Sequence, residues 1–393
     1  MQRPDVAGPE RGRARVYLDH NATAPMREEV LAALADAQRH VYGNASSPHE
    51  EGRRARQVLN NARTRIARAI GADRDEVVFT SGATEANQLA LIGSLLAAEA
   101  RHRHALVTAV EHPSVLRPLT EPGLPLDVDT TVLPVSTTGS VDVGELVANV
   151  QRETVLVAVQ LANNETGTLQ PVREIAEQLR ERKVTLVCDA VQALGRVPLD
   201  VRALGADIVT CSTHKMGGPK GVGFLYKRAG TPWRSFLRGG RQEGEARPGT
   251  EDVPSCHAMA VAVELAIADQ EAYSHHTAHL RALLVDALRQ EFPDLVVHTP
   301  LRDSIPNSLS VAFPGVNAIA LVAFLDLNGI SVSTGSACAT ASREPSHVIR
   351  AIGRGALAPS TLRLSFGKAN QVNEIDRLLA ALKRAPGLRH LAT

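Results

Sequence analysis

Between residues 76 and 227 the chain alternates short, unbroken apolar runs with stretches of helical period. "EVVFT" (76–80), "ALVTAV" (105–110), "TVLVAVQLA" (154–162), "VTLVCDAV" (184–191), "ADIVTCS" (206–212) and "GVGFLYK" (221–227) read as strands. "EANQLALIGSLLAAEA" (85–100) and "REIAEQLRER" (173–182) read as helices. A strand that is apolar on both sides has no wet face, so both faces of its sheet must be covered. Alternation with helices supplies that cover and makes the sheet largely parallel. The fold class is therefore α/β.

The flanks read differently. Pro25 to Val41 has helical spacing, with Val30, Leu31, Leu34 and Ala37 on one face, and a second helix runs through "QVLNNARTRIARAIG". After Pro254 a helical pattern continues through "CHAMAVAVELAIADQEAYSHHTAHLRALLVDALRQEF". Then come strands at "NSLSVAFP", "ISVST" and "LRLSF", a helix at "AIALVAFLDLNG" and a last helix near 373–384. We expect a large domain over 26–262 and a smaller α+β domain made of 1–25 and 263–393.

Lys and Arg number 43 against 42 Asp and Glu, so no charge imbalance points to nucleic acid. No apolar run approaches the roughly 18 residues of a membrane helix, and the opening residues carry no apolar signal core. The four cysteines form no CxxC pair, which favours a reducing, cytoplasmic setting over a disulfide framework. Cys188, Cys211 and Cys256 have apolar company and read as core. Cys338 does not: "STGSACAT" (333–340) surrounds it with residues too small to bury it. It is the candidate for chemistry. His275 and His279, four apart in "HHTAH", lack carboxylate or cysteine neighbours and read as a solvated helix face rather than a metal site.

Three features of the alternating region share one requirement. Lys215 follows a strand end in "CSTHKMGGPKGVGFLY". Asp189 sits at the C-terminal end of another strand, where open α/β sheets place ligands, with Gln192 three residues on. "FTSGATEAN" runs from strand through Ser81-Gly82-Ala83-Thr84 into a helix, whose N-terminus suits a phosphate. Each alone is weak. Together they match pyridoxal phosphate, which needs a lysine for its aldehyde, an acid at its ring nitrogen and a phosphate cup.

The chain resembles the cysteine desulfurases, among the class V, fold-type I pyridoxal phosphate enzymes. The blocks "VYLDHNATAP", "GNASSPHEEGRRAR", "TSGATEAN", "VEHPSV", "LANNETGTLQP", "CDAVQALGRVPLDV", "STHKMGGPKGVGFLY", "RPGTEDVP", "STGSACATASREPSHVIRAIG" and "LRLSFGKANQVNEID" carry the likeness, in order, over more than nine-tenths of the chain. The resemblance implies a mainly parallel seven-stranded sheet in the large domain, with the catalytic-cysteine loop in the smaller one. It implies that Lys215 binds the cofactor's aldehyde and moves the substrate's Cα proton. Asp189 would face the ring nitrogen, Gln192 the phenolate oxygen, and His112 the ring face. Ala83, Thr84, Ser212 and His214 match phosphate-binding positions, and Thr250 the phosphate contact donated by the partner subunit of a homodimer. Arg363 and Asn164 match the grip on the substrate carboxylate; strand alternation points Asn163 elsewhere.

By the same resemblance Cys338 attacks the sulfur of L-cysteine. The products are L-alanine and a Cys338 persulfide, which passes to an acceptor such as an iron–sulfur scaffold or a thiolation enzyme. The span after Cys338 resembles the long-loop group. Pro248, Arg241 and Gly217 depart from the family's usual residues near the second subunit and the pocket rim. Alternatives are a selenocysteine lyase, another class V enzyme, or a partner protein in which Cys338 is a transient iron–sulfur ligand.

Overall fold

The computed structural model describes residues 15–99, 102–121, 123, 127–335 and 345–388. A two-residue strand, β1 (Val16–Tyr17), comes first. β2 (Val77–Thr80), β3 (Arg103–Thr108), β4 (Val128–Leu133), β5 (Thr154–Ala158), β6 (Thr185–Asp189), β7 (Ile208–Ser212) and β8 (Gly223–Lys227) form a seven-stranded sheet in the order 2-8-7-6-5-3-4. Pairings among β3 to β7 are parallel, and β8 runs antiparallel to both its neighbours. Six of these strands follow the apolar runs. β4, "VDTTVL", has no such run: it is an edge strand, partly exposed and broken by polar residues.

Alternation along the strands feeds two cores. Leu106, Val157, Leu186 and Val209 face one, and Ala105, Leu156, Val187 and Ile208 the other. Helix Ala83–Ala97 covers the second face with Ala86, Leu89, Ala90 and Leu95. Cys188, Cys211 and Cys256 are buried in the first core, where burial pushes their thiols up.

β9 (Val296–Val297), β10 (Ser308–Ala312), β12 (Ser333–Thr334) and β13 (Thr361–Ser365) form a second sheet, while β11 (Ile330–Ser331) pairs with β1. "ISVST" thus reads as one strand but makes two, because its halves pair in different sheets. The long helical pattern after Pro254 also divides, at Asp269, into Val253–Ala268 and Gln270–Glu291. A third apolar core, with Leu280, Leu284, Leu309, Leu364 and Leu378, lies on the second sheet. Leu18, just after β1, joins it, so this early segment packs among the last elements of the chain. No helix among the described residues is long and apolar enough to cross a membrane.

Candidate active site

A cleft of about 970 Å³ opens at the C-terminal ends of the parallel strands. It brings together Ala83, Thr84, His112, Asn164, Asp189, Gln192, Ser212, His214, Lys215 and Arg363. Two residues named from sequence are not among them. Thr250 is exposed and does not line this cleft. Cys338 lies outside the described residues.

β2 ends at Thr80, and Gly82 turns the chain into helix Ala83–Ala97 with φ +151, a value that favours glycine. A Cβ there would meet none of the described residues within 4 Å, so the helix entrance is open toward the cleft. The first-turn N–H groups of Ala83 and Thr84 have no acceptor inside their own helix. On the facing side, β7 ends at Ser212, and the chain continues through His214 and Lys215. Burial, and then the charges of Lys215, Lys220 and Arg196, lower the His214 imidazole to about 4, so it is neutral at physiological pH. Gly217 has φ +88, and a Cβ would sit 2.7 Å from Cγ of Arg27. The departure from a bulkier residue therefore has a local reason.

Asp189 is the last residue of β6 and is 9% exposed. Its Oδ1 accepts the Val191 N–H at 2.9 Å, and its Oδ2 accepts from Asn87 Nδ2 at 2.9 Å. Gln192 donates from Nε2 to the Asn21 carbonyl at 3.0 Å, and its Oε1 accepts from the Arg196 guanidinium. Arg196 is buried and also donates to the carbonyls of His20 (3.3 Å) and Lys215 (3.2 Å). Burial lowers its pKa.

His112 caps helix Pro113–Thr120. Its Nδ1 accepts the Ser114 N–H at 3.1 Å and lies 2.7 Å from Ser114 Oγ. Burial lowers the imidazole pKa; Asp189 opposes this, and the charges of Lys215 and His347 add to it. Asn163 and Asn164 separate at a turn beyond β5, not by strand alternation. Asn164 lines the cleft, while Asn163 is buried, accepting at Oδ1 from the N–H groups of Glu165 and Thr166, both at 2.8 Å.

Arg363, on β13, is 2% exposed. It donates to Asp19 Oδ1 at 2.7 Å and to the Asn164 carbonyl at 3.1 Å, while its Nε is buried without a partner among the described residues. One guanidinium N–H at the cleft wall thus still lacks an acceptor there.

Sequence reasoning missed several polar groups around this cleft. Glu165 is fully buried and accepts from Ser346 Oγ at 2.6 Å; burial raises its pKa. His347 Nε2 lies 2.9 Å from the Glu111 carbonyl, which can only accept, so the ring donates there. Both residues lie in quoted blocks, "LANNETGTLQP" and "STGSACATASREPSHVIRAIG", but neither block shows what its polar residues touch. Glu111 itself accepts at Oε1 from Thr108 Oγ1 (2.7 Å) and Gln160 N (2.9 Å), and its Oε2 has no partner among the described residues.

Burial pushes Glu111 up to about 8 from an ordinary 4.5. Between those values the folded chain holds a proton that the unfolded chain has released. This group's contribution to stability is therefore complete below about 4.5, falls above it, and is lost as pH rises through about 8. Glu111→Gln cannot ionise. The melting temperature of the cofactor-free variant should fall less than that of wild type when pH is raised from 6 to 9. Parallel melting behaviour of the two proteins across that range would contradict this.

A strand-end lysine, a buried strand-end carboxylate and an open helix N-terminus on one mainly parallel sheet define a class of protein. Residues 16–378 match the family described as Aminotransferase class-V, and the chain belongs to that family. Within it the chain belongs with the cysteine desulfurases by the following likenesses. Cysteine desulfurase IscS of Dictyoglomus turgidum is 38% identical over 373 residues, which cover 94% of each protein. Among solved structures, a NifS-like protein superposes with a TM-score of 0.86 at 35% identity, covering 93% of this chain and 97% of that one. SspA in complex with cysteine superposes with a TM-score of 0.78 at 28% identity, covering 90% of this chain and 99% of the other.

Proposed function

We propose that the cleft holds pyridoxal 5'-phosphate and that the chain converts L-cysteine to L-alanine, leaving the sulfur as a persulfide on Cys338. The observation that carries this reading is the convergence of Lys215, Asp189, His112, Gln192 and Arg363 in one cleft. The donor set fits the cofactor. Asp189 keeps lone pairs for a ring N–H beyond the two bonds it accepts. The open side of Gly82, the Ala83 and Thr84 N–H groups, Ser212 and neutral His214 suit a phosphate, as do the surrounding cations.

When bound, the cofactor supplies an aldehyde for the substrate's amine and an electron sink for charge at Cα. Lys215 Nζ would hold the aldehyde and would take the substrate's Cα proton. The Asp189 carboxylate would keep the ring nitrogen protonated. His112 would lie against the ring, Gln192 would address the phenolate oxygen, and Arg363 and Asn164 would orient the substrate carboxylate. The Cys338 thiolate attacks the substrate sulfur. An S–S bond forms, the Cβ–S bond breaks with its electron pair going to carbon, and a proton added at Cβ together with return of the Cα proton from Lys215 yields alanine.

The relative solved with cysteine supports this substrate. Thr250, exposed and outside its own cleft, suits a contact to a second copy's phosphate site, so the working unit is a homodimer. The reading includes a cytoplasmic setting, an acceptor protein for the persulfide, and a cofactor-holding unit over 26–262 with 1–25 and 263–393 as the second. The experiment is direct: purified protein should absorb in the near-visible and release alanine from L-cysteine. A protein that stays colourless after cofactor is added would defeat the reading.

Arg363→Lys keeps the charge but loses the planar fork. It should raise KM for L-cysteine by about 10-fold or more, because an ammonium cannot keep the contacts to Asp19 and Asn164 and also present the planar fork's remaining N–H to the substrate carboxylate. Steady-state kinetics showing an unchanged KM would remove Arg363 from substrate binding.

A further inference from the structure

Asn87 is fully buried on helix Ala83–Ala97. Its amide makes three hydrogen bonds. Nδ2 donates to Asp189 Oδ2 at 2.9 Å and to Ser114 Oγ at 2.9 Å, and Oδ1 accepts from Thr210 Oγ1. A carboxylate oxygen cannot donate, so the amide's orientation follows from the network: nitrogen toward Asp189, oxygen toward Thr210.

The proton count continues from there. Ser114 Oγ accepts from Asn87 and has one proton of its own. That proton goes to His112 Nδ1, 2.7 Å away. The Ser114 backbone N–H also points at Nδ1, at 3.1 Å. Two donors converge on one ring nitrogen, which therefore carries no proton. In the neutral ring the proton is on Nε2.

We propose that Asn87 is a positioning residue that ties two polar groups of the cofactor site together: it fixes the Asp189 carboxylate directly and, through Ser114, holds His112 as the Nε2–H tautomer. The ring therefore donates from Nε2 and cannot act as a base there. Thr210 locks the amide in the sense that makes both contacts.

This proposal rests on the cofactor reading for its affinity arm but not for its tautomer arm. In wild-type protein as purified, nitrogen NMR of isotope-labelled histidine, assigned with His112→Gln, should show His112 with widely separated ring nitrogens and the proton on Nε2. Ser114→Ala should collapse that separation toward a mixed tautomer, and Ser114→Thr, which keeps the hydroxyl, should restore it. Asn87→Ala should weaken pyridoxal phosphate binding by about 10-fold or more, the loss typical of a bond to a charged group, and displace the absorption maximum of the bound cofactor.

A His112 tautomer unaffected by Ser114→Ala would overturn the relay. Wild-type affinity and spectrum in Asn87→Ala would overturn the tie to Asp189. If Asn87→Ala fails to fold, Thr210→Val tests the same arm by unlocking the amide, with the same expected loss and the same overturning result. Wild-type protein that binds no cofactor at all would instead sink the cofactor reading and leave the tautomer result standing.

Discussion

Lys215→Ala protein should exchange the near-visible band of lysine-bound cofactor for that of the free aldehyde and turn over L-cysteine at least about 10³-fold more slowly. Two tasks leave with one amine. The lysine binds the aldehyde, and it moves the Cα proton, a role that general acid–base groups fill at roughly 10²–10⁴-fold in rate. Asp189, the helix N-terminus at Ala83 and the hydroxyl of Ser212 stay in place, so added cofactor should still bind, absorbing as a free aldehyde. The readouts are an absorption spectrum and an alanine assay. A variant retaining both the band and the rate would show that another amine does this work.

Cys338→Ala should also stop the release of alanine from L-cysteine, by about 10³-fold or more, but at a later step. The residues that act on Cα are in the cleft and are untouched by this change. Exchange of the substrate's Cα hydrogen in heavy water should therefore persist near the wild-type rate, as should the cofactor band. Lys215→Ala loses exchange and Cys338→Ala keeps it, so the pair orders the two steps. Unchanged alanine formation in Cys338→Ala would refute the persulfide route.

The sheet is legible in the sequence because its inner strands are dry on both sides, and continuous apolar runs say so. Edge strand β4 is not, since it is partly exposed and its polar residues break the run. The seam within "ISVST" and the break at Asp269 are hidden for another reason. Both depend on which partner each half packs against, and local pattern does not record partners. For the site, Lys215, Asp189 and the Ala83 helix entrance stand at strand ends, where position alone implies a ligand. The groups behind them carry a fainter signal. Asn87 occupies a polar position in line with Ala83, Ala90 and Ser94 on one helix face, and a buried polar residue there requires partners. Ser114, Glu165 and His347 offer no such spacing, and only the fold shows what they touch.

Arg196 would link the stability of the fold to the occupancy of the cleft. Its hydrogen-bond partners among the described residues include carbonyl and amide oxygens and the Tyr273 hydroxyl oxygen. A buried positive charge is thus solvated by dipoles rather than matched by a carboxylate. Removing a charge from water costs several kcal/mol even after relaxation. An anion arriving in the cleft, beyond Gln192, lowers that cost through a low-dielectric interior. Whatever binds the folded chain alone also shifts its unfolding equilibrium, by about 2.7 kcal/mol at a hundredfold excess over Kd. On the proposed reading, the same guanidinium that holds Gln192 in place would make the protein less stable with its cleft empty than with an anion bound.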